Sequence, residues 1–184
     1  EGIALARPGK PEQQRLRLDM QSRQSWVRFM QGRMPEALQL AEQAHKGFAA
    51  WPADDPKRLD AARRYAQALA ESGDYDKATV LLKDIIRLRS YKLGSEHPQT
   101  LLVRQDFTIT KLQQRDFAAA EPELRHLIAA FTRLYGKDSG YAVNVRSMLG
   151  SALRELGKVE EAGPHYRAAM EWHVAHSGAE AFSS

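Results

Sequence analysis

Apolar residues along this chain return at steps of three and four. In 57–72 they are Leu59, Ala62, Tyr65, Ala66 and Leu69, and in 75–92 they are Tyr75, Ala78, Leu82, Ile85 and Ile86. The pattern continues with Leu101, Phe107 and Leu112, then Phe117, Ala120, Leu124, Leu127 and Ile128. It closes with Val143, Leu149 and Leu153, then Val159, Ala162, Tyr166, Ala169 and Met170. A period near 3.6 puts one apolar stripe on each of a series of helices, and no stretch reads as a strand. Closer to the N-terminus, 12–31 offers Leu16, Met20, Val27 and Met30 as a buried face, and 35–50 offers Ala37, Ala41 and Ala44.

The helices come in pairs, because their punctuation repeats. The stretches "GRMPEA", "GDYDKA", "RDFAAA" and "GKVEEA" end at Ala37, Ala78, Ala120 and Ala162, at intervals of 41, 42 and 42. Gly94, Gly136 and Gly178 keep the same step, as do Pro56, Pro98 and Gly140. Self-similarity at such a period is the mark of stacked helix hairpins.

Each marker has a physical role. Gly73 and Gly157 fall where a first helix ends, and Gly tolerates the left-handed turn that closes it. Asp74 and Asp116 can accept the orphan amides of the second helix. The small Ala at 78, 120 and 162 lets antiparallel helices approach, and Leu82, Leu124 and Tyr166 fill the space one turn on. In "LGSEHP", Gly94 ends a helix, Ser95 or Glu96 can cap the next, and Pro98 sits in its first turn. Pro122 and Pro164 fall a turn inside second helices, where the lost amide donor predicts a bend.

These residues resemble the tetratricopeptide repeat. "A-x-x-x-L" at 78 and 120, "A-x-x-x-Y" at 162 and "LGSAL" at 149–153 match its small-residue contacts, and the 42-residue step resembles the long, kinesin-light-chain type. The resemblance implies an all-α, right-handed superhelical array of antiparallel helix pairs, a TPR-like α-solenoid of about eight helices. Its domain would run over 12–178, with a degenerate repeat 12–52 and repeats 57–94, 97–136 and 140–178. A flexible basic arm, 1–11, would precede it and a tail, 179–184, would follow.

The resemblance also implies that first helices line a concave groove holding a peptide or a partner's helix. In register, the groove candidates are Arg63, Arg64, Gln67 and Glu71; Gln105, Asp106, Ile109 and Gln113; and Asn144, Ser147, Met148, Ser151 and Arg154. Asn144 is the chain's lone Asn, whereas groove positions of the kinesin-light-chain type often carry that residue. Arg63 and Arg64 are suited to a partner carboxylate. Relatives of this long form accompany bacterial serine/threonine kinase domains and transcriptional regulators. The resemblance therefore implies a protein-interaction scaffold in a larger bacterial signalling or regulatory protein, or an accessory domain to such a kinase or regulator.

Composition adds a few limits. The chain has 184 residues, 43% hydrophobic and 27% charged, with no apolar run near the ~20 residues of a membrane span. It begins at Glu1 without a signal-peptide pattern, which is the expectation for a piece of a longer or processed protein. The absence of Cys suits a reducing cytoplasm and equally a Cys-free periplasmic domain. The net charge of +4 sits wholly in residues 1–33, through Arg7, Lys10, Arg15, Arg17, Arg23, Arg28 and Arg33 against Glu1, Glu12 and Asp19. A solvated helix face explains that segment better than nucleic acid does, although phosphate or an anionic surface is the alternative ligand for it.

No phosphate-binding, dinucleotide-binding, nucleophile-elbow or metalloprotease motif occurs, so no catalytic residue, metal or cofactor is expected. His173 and His176 share a helix face but lack a third ligand. His97 belongs to capping geometry, His126 and His165 fall on second helices, and Ser139 has no base. The last hairpin is expected to lack a cover, leaving Met170, Trp172 and Val174 as an end-face contact for further repeats, a second copy or another protein.

Overall fold

The computed structural model describes residues 11–180, with side chains to His176. Among the described residues there are eight α-helices and no strand: α1 Pro11–Met30, α2 Met34–Gly47, α3 Pro56–Glu71, α4 Tyr75–Leu93, α5 Pro98–Gln113, α6 Phe117–Tyr135, α7 Gly140–Glu155 and α8 Val159–Glu180. A 3-10 turn, Phe48–Ala50, follows α2. The arm expected at 1–11 and the tail at 179–184 lie outside the described residues, except that Pro11 opens α1 and Glu180 closes α8. Compact packing divides the chain inside α4, one unit ending at Leu88 and the other beginning at Arg89.

The hairpin turns share one backbone device. Gly32, Gly73 and Gly157 sit at φ +72°, +86° and +76°, and Arg115 takes the same place at φ +62°. The left-handed conformation costs a residue with a Cβ about 1–2 kcal/mol, so the third turn carries strain that the other three do not. Helix starts are capped where the sequence supplies an acceptor. Asp55 accepts from the amides of Lys57 and Arg58, Asp116 from Ala119 and Ser139 from Ala142. At α5 the cap is neither Ser95 nor Glu96: His97 Nδ1 accepts from the Gln99 amide at 3.2 Å. The extended ψ of His97 before Pro98 aims its ring at that amide. Pro122 and Pro164 lie inside continuous helices, and α8 runs on through Gly178.

In the first unit, α1 packs on α2 and both on α3. The face of α1 expected to be buried is not. Leu16, Met20, Val27 and Met30 are 51–67% exposed, and Leu18, Ser22 and Ser25 are buried instead. Helix α2 meets α1 with Ala37, Ala41 and Ala44, so the seam takes small side chains, and Ser25 Oγ is satisfied by the Ser22 carbonyl at 2.7 Å. Bulk comes from Leu18 and from Phe48, which is fully buried with Ala44 and Ala61 under Trp51.

In the second unit, α6 packs on α5 and α7, and α7 on α8. Leu101, Leu124, Leu127, Phe131, Val145, Leu149 and Leu153 form one buried cluster. Each contributes about 1.5–3 kcal/mol by leaving water. Gly150 belongs to this packing, because a Cβ there would lie 3.2–3.3 Å from the Tyr166 ring. Val159, expected in the stripe of α8, opens that helix and is exposed. The buried hydroxyls of Thr108 and Thr110 donate to carbonyls one turn back in α5, those of Arg104 and Asp106.

Candidate functional site

In the first unit, α3 carries Arg63, Arg64 and Gln67 half-buried and Glu71 exposed. The Arg64 guanidinium lies over Trp26 of α1, 5.9 Å from the ring centroid, and Trp26 stacks on Phe29. Burial pushes the Arg64 pKa down; Asp60 opposes that and Arg63 adds to it. Arg64 is thus held against an aromatic face. The sequence reading missed a pocket of about 410 Å³ lined by Tyr65 and Leu69 of α3 and Asp76, Lys77, Val80 and Leu81 of α4. Tyr65 stacks on His45 of α2 at 5.3 Å, and its hydroxyl donates to Glu42 at 3.4 Å. Burial, then the Glu42 charge, pushes the Tyr65 pKa up.

The structure brings two of the second unit's candidates together directly. Gln105 Nε2 of α5 donates to Asn144 Oδ1 of α7 at 3.2 Å. Both line a pocket of about 410 Å³ with Gly140 and Tyr141. Tyr141 stacks on Tyr135 at 5.2 Å and lies 5.3 Å from Phe131, so the pocket has an ordered aromatic wall. One amide bond uses one donor of Gln105 and one acceptor of Asn144, and a carboxamide carries two of each. Other candidates serve the hairpin. Ser151 donates to the Ser147 carbonyl and accepts from the Tyr166 hydroxyl. Met148 packs on the core cluster, Ile109, Asp106 and Gln113 are half-buried, and exposed Arg154 pairs with Glu155.

On α8, Met170 and Val174 form one exposed stripe, 62% and 72% accessible. Trp172 lies off that stripe. Its Nε1 donates to the Asp138 carbonyl at 2.6 Å, and its ring stacks on His176. Among the described residues no group of three or more His, Asp or Glu is placed to hold a metal. Arg15 pairs with Asp55, Arg23 with Asp19, and Arg28 and Arg33 with Glu36. Arg7 and Lys10 lie outside the described residues.

Paired helices of this kind, joined at left-handed turns in a 41- or 42-residue register, define a helical-repeat protein. Residues 28–89 match the tetratricopeptide repeat family. The fold is similar to crystal structures of kinesin light chain nearly identical TPR-like repeats from Podosopora anserina. One of these has TM-score 0.75 and 20% identity, with 94% of this chain and 80% of that one covered. It is similar also to BtubC (BKLC) from P. vanneervenii, with TM-score 0.73, 18% identity, and 90% and 66% covered. MamA of AMB-1 aligns with TM-score 0.56 and 24% identity over 85% and 73%. No curated protein matches the sequence. The chain has the all-α helical-repeat fold of those structures, and its match to the tetratricopeptide repeat family is confined to residues 28–89. No described helix is long and apolar enough to cross a membrane.

Proposed function

We propose that residues 12–178 form the interaction domain of a larger bacterial regulatory or signalling protein. Its ligand is a peptide or helix held on the exposed faces of the first helices. The Gln105–Asn144 pair beside Tyr141 carries this reading. Amides at that position offer a donor and an acceptor to a peptide backbone, and the Tyr135–Tyr141 stack offers a flat apolar wall to one side chain. Because α5 and α7 are ordered before the ligand arrives, little conformational entropy is lost on the protein side. Arg63, Arg64 and Gln67 supply the corresponding surface of α3, with Arg64 already anchored by Trp26.

A peptide array probed with the whole chain tests the proposal. Peptides retained by the wild type are expected to lose at least about tenfold in affinity with Asn144→Ala or Tyr141→Ala. Equal retention by both variants overturns the assignment to this pocket. Loss only with Arg63→Glu/Arg64→Glu moves the site to α3.

A further inference from the structure

The left-handed turn residues Gly32, Gly73, Arg115 and Gly157 put all first helices in one frame. In that frame Leu16, Met20, Gln24 and Val27 of α1 correspond to Lys57, Ala61, Tyr65 and Ala68 of α3, and to Tyr141, Val145, Leu149 and Ala152 of α7. Within each unit these positions face the second helix of the preceding hairpin. Tyr65 stacks on His45 of α2, and Ala61 lies in the cluster of Ala44 and Phe48. Tyr141 packs at 5.3 Å from Phe131 of α6, and Val145, Leu149 and Ala152 are buried in the cluster of Leu124 and Leu127. On α1 the same face is open, with Leu16 61%, Met20 54% and Val27 51% exposed. This is also why these residues read as core from sequence: they belong to a core-type face.

Helix α8 has the complementary surplus. Met170 holds the position of His45 and Ile128, and His173 that of Phe48 and Phe131. In α2 with its following 3-10 turn, and in α6, those positions cover the next first helix; on α8 both are exposed. The charges are opposite in sign. Helix α1 carries Arg15, Arg17, Arg23 and Arg28 against Glu12 and Asp19, and α8 carries Glu160, Glu161, Glu171 and Glu180 against Arg167.

We propose that α8 of one molecule packs on the Leu16–Met20–Val27 face of α1 in a second copy of this chain, head to tail, in the register of an internal repeat contact. His173 then meets Leu16 as Phe131 meets Tyr141, and Met170 meets Gln24 as His45 meets Tyr65. The contact joins two different surfaces, so copies add head to tail, into a ring where the rotation closes and into a filament where it does not. It is independent of the Gln105–Asn144 pocket.

Sedimentation velocity over a roughly hundredfold concentration range tests this. The wild-type mass is expected to rise with concentration above that of the monomer. Met20→Lys and Met170→Lys, both at exposed positions, are each expected to stay monomeric. Mixed in equal amounts they should form a one-to-one dimer that grows no further, because each supplies the face the other lacks. Val27→Lys and Val174→Lys form a second pair if either first variant loses helical circular dichroism. A wild type that stays monomeric throughout overturns the proposal. So does a mixture of two folded variants that remains monomeric.

Discussion

The two units fill one register with different residues. Where the second packs Leu124, Leu127 and Phe131, the first has Ala41, Ala44 and Phe48. Where α7 buries Val143 and Gly150 against its hairpin partner, α1 buries Leu18 and Ser25. At about 0.8 kcal/mol for each buried methylene, each Leu-to-Ala difference at equivalent positions is worth about 2 kcal/mol of burial. A repeated geometry therefore does not mean a repeated energy. The α1–α2 hairpin holds by close approach of small side chains with two aromatic residues at one end, and α5–α8 by aliphatic bulk.

The largest effects should come from the buried phenylalanines that share one position. Phe48→Ala and Phe131→Ala are each expected to cost about 3–5 kcal/mol in denaturant unfolding. Hydrogen exchange separates them: Phe48→Ala should accelerate exchange in α1 and α2 while leaving α6 and α7 protected, and Phe131→Ala should do the reverse. Uniform acceleration by both would merge the two units into one.

Close approach is tested next. A Cβ on Gly47 would lie 2.3 Å from Leu18 Cδ2. Gly47→Ala should therefore cost about 1–3 kcal/mol by displacing Leu18. Gly150→Ala, against the Tyr166 ring, should cost about 1 kcal/mol.

Third, Arg115→Gly should stabilise the second unit by about 0.5–1 kcal/mol, read as a higher midpoint of thermal unfolding. It removes left-handed strain but also the exposed pairing of Arg115 with Glu155. A lower midpoint would show that the side chain's contacts outweigh its strain.

The smallest effect is on pH. Burial, reinforced by Arg58, holds His45 below its ordinary value of 6.5. Burial with Arg125 and Arg146 does the same for His165. Both favour the neutral ring when folded. Their stability contribution is full above the unfolded pKa near 6.5 and is lost as pH falls from there through the depressed folded values. His45→Gln should flatten part of the fall in unfolding midpoint between about pH 7 and about pH 5, and His165→Gln another part. Curves parallel to the wild type would contradict this.

Helix pairs, their turns and the alanine contacts were legible in the sequence, because a 3.6-residue period and left-handed glycines are local properties. The inner face of α1 was not. First helices of a repeat have two faces that pack, one on the partner helix and one on the preceding hairpin, at the same spacing. Hydropathy chose the second, with Leu16, Met20 and Val27, over the first, where Ser22 and Ser25 sit against alanines. The alignment of Gln105 with Asn144 required α5 and α7 to be placed across 39 residues of chain. The Tyr65–Leu69–Val80 pocket left no local signal either, because its members serve as ordinary stripe residues in their own helices.

At the position of Phe48 and Phe131 the intervening repeat has Arg89, buried to 4% exposure, with its guanidinium donating to the Gln99 carbonyl at 3.0 Å. A consensus redesign would write Phe there, as in the neighbouring repeats. That change would swap a charge-assisted tether between α4 and the first turn of α5 for a ring. Making the array more uniform at this point would loosen the turn that the deviation fastens.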